Sequence, residues 1–454
     1  MKRTMADGRW PNAECRVLLG GLTLLLVGLP ALVRAEENNP TVSPERVVAD
    51  ALAYSPVLKL SDQEVAVAQA QKTQADAQAF PSLSLDAHAG HYEGLTDSAL
   101  GPGMVIPAIP DRYGAAVRLS QPVYTGGRIG NEKKGANYQR QAVRETRRST
   151  ESDLALQALT AYWNWSKAYY SLEALKAATD RMAAHATDMH NLHAAGLATD
   201  NDALATDVLL DQTRLRLEEA RRRTEVSRAR ITFLTCRELP GNAVPQQAAV
   251  PPGQTVPPEV ESLGAAASNR PDRAAGELEA KSSEAAAKAS RAGLRPQLFL
   301  TAHYEQANPN ILNIPPADEW QDDTYVGVAV TWNLLDWGLT RARASEAAAR
   351  ATQAHLRLQH KNEQITLEVK EAGINLKDAL ERVTVAERAE LSATRNLAAA
   401  TDLWKNGLAR HSDVLDAHAQ LTEAQNQVIA ARADVALARA GLDHAMGLLR
   451  AGKP

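Results

Sequence analysis

The chain has 454 residues, of which 4% are aromatic and 23% charged, with a formal net charge of −4. So few aromatics exclude several large compact cores, and there is no basic excess to neutralise nucleic-acid phosphates. The only cysteines, Cys15 and Cys236, exclude a disulfide framework and a cysteine-based zinc site.

At the N-terminus, Lys2, Arg3, Arg9 and Arg16 precede an apolar run from Val17 to Val33, with Val33-Arg34-Ala35 behind it. This predicts a secretory signal peptide over residues 1–35. A single membrane anchor is the alternative, but Gly and Pro interrupt the run. Cys15 lies ahead of it, so no lipidation is expected. Removal of 1–35 makes the net charge −7 and leaves Cys236 as the only thiol. No later stretch reaches the roughly eighteen apolar residues of a spanning helix. An exported chain of this kind enters a membrane with strands or not at all.

The remainder is a duplication. Pro81-Ser-Leu-Ser-Leu-Asp-Ala-His aligns with Pro296-Gln-Leu-Phe-Leu-Thr-Ala-His at an offset of 215. Gly196-Leu-Ala-Thr-Asp-Asn-Asp202 aligns with Gly407-Leu-Ala-Arg-His-Ser-Asp413 at an offset of 211. The difference is a shorter loop in the second copy. The expected organisation is a first repeat over 36–239, a linker over 240–258 and a second repeat over 259–454. The linker carries six of the 22 prolines and reads as a non-helical connector.

Each repeat opens with a predicted helix, Pro56–Phe80 and Pro271–Arg295, bounded by proline. A strand with period-2 alternation follows: Leu83, Leu85, Ala87 and Ala89 against Ser84, Asp86 and His88, echoed by Leu298, Leu300, Ala302 and Tyr304. The returning strands are Tyr113–Tyr124 and Tyr325–Leu335, so the hairpins cover 82–125 and 297–336. A long helix is then predicted over Gly127–Ala195 and Gly338–Asn406, roughly 100 Å at about 1.5 Å per residue. Ile365, Val369, Ala372, Leu376, Ala379, Val383 and Ala386 step by 4 and 3, a coiled-coil seam. After a Gly-Leu-Ala turn, a shorter helix returns over Asp202–Phe233 and Asp413–Leu449.

Four strands of about ten residues can span a bilayer but cannot close, since about eight are needed for a barrel. Several chains must then share one barrel, unless the hairpins are incidental to a soluble coiled coil. At the turns, Gly196 and Gly407 permit a left-handed backbone, and Asp202 and Asp413 can cap the returning helices.

This ordered set resembles the TolC-like outer-membrane efflux proteins over essentially the whole mature chain. The duplicated Pro-x-Leu strand entries, Gln121-Pro122-Val123-Tyr124-Thr125-Gly126-Gly127 and the paired Gly-Leu-Ala-x-x-x-Asp turns carry the resemblance. It implies a mainly α fold with a small β part: a homotrimer with a twelve-stranded β-barrel in outer-membrane lipid. Long antiparallel coiled coils would form an α-barrel reaching into the periplasm. The implied partners are a periplasmic adaptor (membrane fusion) protein and an inner-membrane pump; nucleic acid, metal, cofactor and catalytic centre are not expected. The resemblance also implies a tip gate in which Asp413 and Asp416 form rings and Asp202 ties neighbouring coils. The family places Tyr three before the second glycine and Arg two after it, where this chain has Trp404 and Ala409, so Arg410 is the substitute cation. Gly196, Leu197, Gly407 and Leu408 would meet the adaptor. The same architecture could serve a type I protein secretion system, or a periplasmic coiled coil without a pore.

Three other features read more plainly. Gly126, Gly127 and Gly130 suit a strand-to-helix turn better than a phosphate cradle, because no βαβ unit surrounds them. His185, His190 and His193 read as solvent-facing, with only the last two on one face. Cys236 aligns with Gly447 at a helix end and reads as an inert small residue.

Overall fold

A computed structural model describes residues 40–449 apart from 102, 252, 254 and 315. The expected signal peptide, with Cys15, lies outside the described residues. The first repeat runs β1 (Thr41–Val42), α1 (Pro44–Tyr54), α2 (Pro56–Ala77), β2 (Ser82–His91), β3 (Ser98–Gly101), β4 (Met104–Ile106), β5 (Asp111–Tyr124), α3 (Arg128–Ala194) and α4 (Asp200–Thr235). After β6 (Val244–Pro245) come α5 (Glu259–Asn269), α6 (Pro271–Arg291), β7 (Gln297–Asn308), β8 (Gln321–Thr331), α7 (Leu339–Lys405) and α8 (His411–Ala445). Both long helices contain 67 residues, about 100 Å at the α-helical rise.

Four strands form one antiparallel sheet in the order β2-β5-β7-β8. Its register aligns the alternation. Leu83 faces Leu119, Leu85 faces Val117, Val117 faces Tyr304, and Leu300 faces Val328. One face is therefore apolar and solvent-open, with Leu83 70% and Leu85 71% exposed. The opposite face pairs Arg118 with Asp86 at 3.2 Å and His303 with Asp323 at 3.2 Å. The outer edges of β2 and β8 pair with no strand among the described residues.

The helices bury seams rather than one core. On α7, Ile365, Val369, Leu376, Ala379, Val383 and Ala386 are buried, as the heptad spacing requires; on α8, Val428, Ala431, Val435 and Leu442 meet the lower part of that seam. Alternate alanines let the backbones approach. Midway, α1, α3 and α4 enclose Val47, Trp165 and Ile231, and β1 pairs with β6 in parallel. The buried Tyr162 hydroxyl donates to the Val42 carbonyl at 2.7 Å and accepts the Gln246 N–H at 2.7 Å. It thereby pins the linker to the start of the first repeat.

The elements that sequence periodicity does not predict are short ones. They are α1, α5, the β1–β6 pair inside the proline-rich linker region, and the β3–β4 hairpin inside the first long loop. The strands among them have two to four residues, too few to show a period, whereas α1 and α5 have 11 residues each and α1 buries Pro44, Val47 and Ala51 at helical spacing. No helix of the described residues is long and apolar enough to cross a membrane.

Candidate functional site

The two helix turns lie about 100 Å from the sheet, at the far ends of α3 and α7. Each closes in the same way. Gly196 adopts φ 74° and Gly407 φ 72°, conformations that a side chain disfavours. The Gly196 N–H donates to the His193 carbonyl at 2.9 Å, and the Leu197 N–H to the Leu192 carbonyl at 2.8 Å. Gly407 and Leu408 repeat this on Trp404 and Leu403 at 2.9 and 2.8 Å. This double closure satisfies carbonyls that the helix end leaves free. It also presents Leu197 and Leu408 outward, 76% and 75% exposed.

The returning helices start differently. In the first repeat, the Asp202 N–H donates to Thr199 Oγ1 at 3.2 Å, and the Thr199 N–H donates back to Asp202 Oδ2 at 3.1 Å. The Thr199 hydroxyl also donates to that carboxylate at 2.6 Å, which with the backbone bond holds Asp202 below the usual carboxylate range. In the second repeat, Arg410 replaces the threonine. The Arg410 N–H donates to Asp413 Oδ2 at 3.1 Å, but a guanidinium has no acceptor to return the bond. Both aspartates thus sit three residues after the cap and receive its N–H. Asp416 follows one turn along α8 and is exposed, without a hydrogen bond or ion pair among the described residues. Arg410 is also exposed and pairs with no carboxylate among them. Asp202, Asp413 and Asp416 are not joined to one another within one chain.

His411, the first residue of α8, is only 7% exposed. Its ring stacks on His185 of α3, with centroids 5.1 Å apart and planes inclined by 27°. His418 lies 5.5 Å from His185, and Trp404 of α7 lies 5.8 Å from His185 and 5.5 Å from His411. On α4, Thr206 completes the group: its hydroxyl donates to the Asp202 carbonyl at 2.7 Å, so His411 Nε2–H donates to Thr206 Oγ1 at 2.8 Å. Four helices meet at this cluster. His185 therefore packs inward, contrary to its expected solvent-facing position, because α8 covers that side of α3. Burial, reinforced by His411 and His418, lowers His185 to about 4. Burial also lowers His411, and burial with nearby Arg181 lowers His418. The one sequence signal for the cluster is the seven-residue spacing of His411 and His418, which places both on one face of α8.

His190 and His193 serve the other turn. His190 Nε2 lies 3.0 Å from an Asp207 carboxylate oxygen, and His193 lies 4.0 Å from Asp200. No group of three or more His, Cys, Asp or Glu is arranged to hold a metal ion among the described residues. Cys236 is exposed and ends α4 at φ 52°; its sequence counterpart Gly447 ends α8 at φ 69°.

Comparison with known proteins gives a consistent result. The outer membrane efflux protein family matches residues 47–237 and 263–448. The fold is similar to the Campylobacter jejuni CmeC outer membrane channel, with TM-score 0.77 and 16% identity, covering 96% of each chain. It is also similar to the outer membrane protein VceC of Vibrio cholerae, with TM-score 0.74 and 19% identity, over 89% of this chain and 96% of that one. The open-state Neisseria gonorrhoeae MtrE outer membrane channel gives TM-score 0.73 and 17% identity, over 90% of each chain. At these identities the likeness is one of fold. No curated protein sequence matches the chain.

Proposed function

The chain belongs to the outer membrane efflux protein family, and from that premise we propose that three copies form the outer-membrane exit duct of a tripartite efflux system. The observation that carries this is the four-stranded sheet with one apolar face, one polar face and two free edges. Within lipid, each unsatisfied backbone group costs several kcal/mol, so such a sheet must close. Three copies supply twelve strands: the apolar face meets lipid and the Arg118–Asp86 face lines the pore. The 67-residue helices continue the duct into the periplasm, where an adaptor and an inner-membrane pump engage its tip.

The exposed Leu197 and Leu408, each fixed by a glycine-closed turn, are the proposed adaptor contacts. At the same end, Asp413 and Asp416 of three copies place six carboxylates about one axis, with Asp202 bracing neighbouring coils. Such a ring repels itself and attracts cations, so the closed tip opens when adaptor contacts favour the separated state.

Membrane fractionation with native mass measurement tests the duct: a trimer in the outer membrane supports it and a soluble monomer defeats it. For the gate, Asp413→Ala combined with Asp416→Ala raises single-channel conductance in planar bilayers and weakens block by divalent cations. Unchanged conductance and block remove the gate assignment. A deletion strain's susceptibility to drugs and metals, compared with its secreted proteins, separates small-molecule efflux from protein export.

A further inference from the structure

The cluster of three imidazoles at the tip has features that a packed core does not need. Thr206 commits its proton to the Asp202 carbonyl, so His411 carries its own proton on Nε2 and leaves Nδ1 bare. That nitrogen is buried and has no hydrogen-bond partner; neither has the buried Nε2 of His185, on the ring stacked against it. Two unpaired polar atoms in one contact cost stability, which hydrophobic side chains of similar size would avoid. The arrangement stands where α3, about two and a half turns before its end, meets the start of α8, Trp404 of α7 and Thr206 of α4, so it joins the two repeats near the proposed gate end of the duct.

We propose that His185, His411 and His418 form an acid-sensitive latch: neutral, they hold α8 against α3 at the tip, and protonated, they drive the two helices apart and open the tunnel end. This rests on the exit-duct reading above. A proton arriving at His185 Nε2 or His411 Nδ1 creates a cation with a neighbouring ring about 5 Å away and no acceptor to receive the new N–H. The charged groups facing the cluster are few. Arg181 on α3 opposes protonation, Asp188 on α3 and Asp202 on α4 favour it, and α7 contributes the uncharged Trp404. The carboxylates are too few to neutralise three imidazolium ions, so successive protonations repel. Each imidazole is neutral in the packed state and binds its proton more readily once exposed, so acid favours the separated helices.

The test is single-channel conductance of the purified full chain in planar bilayers, titrated from about pH 7.5 to about pH 4.5. Wild-type conductance is expected to rise severalfold more with acid than that of the triple variant His185→Phe, His411→Gln, His418→Gln, which keeps the tip carboxylates and shows only their contribution. An equal rise in both, or none in the wild type, overturns the latch. If no pore forms at any pH, the duct reading fails separately, and amide hydrogen exchange over residues 179–190 then decides. Protection lost on acidification in the wild type and kept in the variant supports the latch; equal behaviour overturns it.

Discussion

The turn at Gly196 and the turn at Gly407 descend from one duplicated segment yet are secured by different means. Both use a left-handed glycine, an outward leucine and an aspartate three residues past the cap. The first is then locked locally, by the reciprocal Thr199–Asp202 bonds. The second has lost the hydroxyl to Arg410 and gains its anchorage at long range, through His411 buried against α3 and α4. A locally capped turn keeps its shape whatever its neighbours do. A turn held by tertiary contacts moves when those contacts change, which suits it to gating.

The largest test addresses what the turns share. Gly196→Val and Gly407→Val each force a branched side chain into left-handed backbone, at about 2 kcal/mol or more. Local amide exchange should accelerate equally at both; a marked inequality would break the backbone equivalence.

Acid sharpens the contrast next. His185 titrates at about 4 in the fold against 6.5 when free. Its stabilising contribution is therefore complete above about pH 6.5 and is lost as pH falls towards 4. Allowing for the partial exposure of the ring, that is about 1–2 kcal/mol. Exchange protection at the start of α8 should fall across this window, while that of α4 changes less.

The smallest effects concern the caps. Thr199→Ala should cost about 1 kcal/mol, read as faster exchange in the first turn of α4. Arg410→Ala should be near neutral, whereas Arg410→Thr completes the second box and gains some tenths of a kcal/mol.

Much of this molecule is written locally. The offset of 211 places both turns, and the 4,3 stepping of Ile365 to Ala386 names a seam that is buried with its partner helix. Alternation in Leu83, Leu85 and Ala87 gives the sheet its two faces. The imidazole cluster is different in kind. His185 and His411 are separated by more than 200 residues, and no periodicity links a residue on α3 to one on α8. Arg410, adjacent to that buried histidine, is exposed within one copy, so its proposed role as the gate's cation depends on carboxylates of neighbouring copies that no pattern within one chain displays.

The bare margins of β2 and β8 also govern biogenesis. A newly exported copy carries two strand templates that will join any compatible backbone, so time spent alone is time exposed to misassociation. Closure depends on encounter between copies and is concentration-dependent by mass action. Helical seams made largely of near-neighbour contacts form faster than sheet pairing across chains. The helical hairpins need no encounter between copies, because α3 packs on α4 and α7 on α8 within one copy.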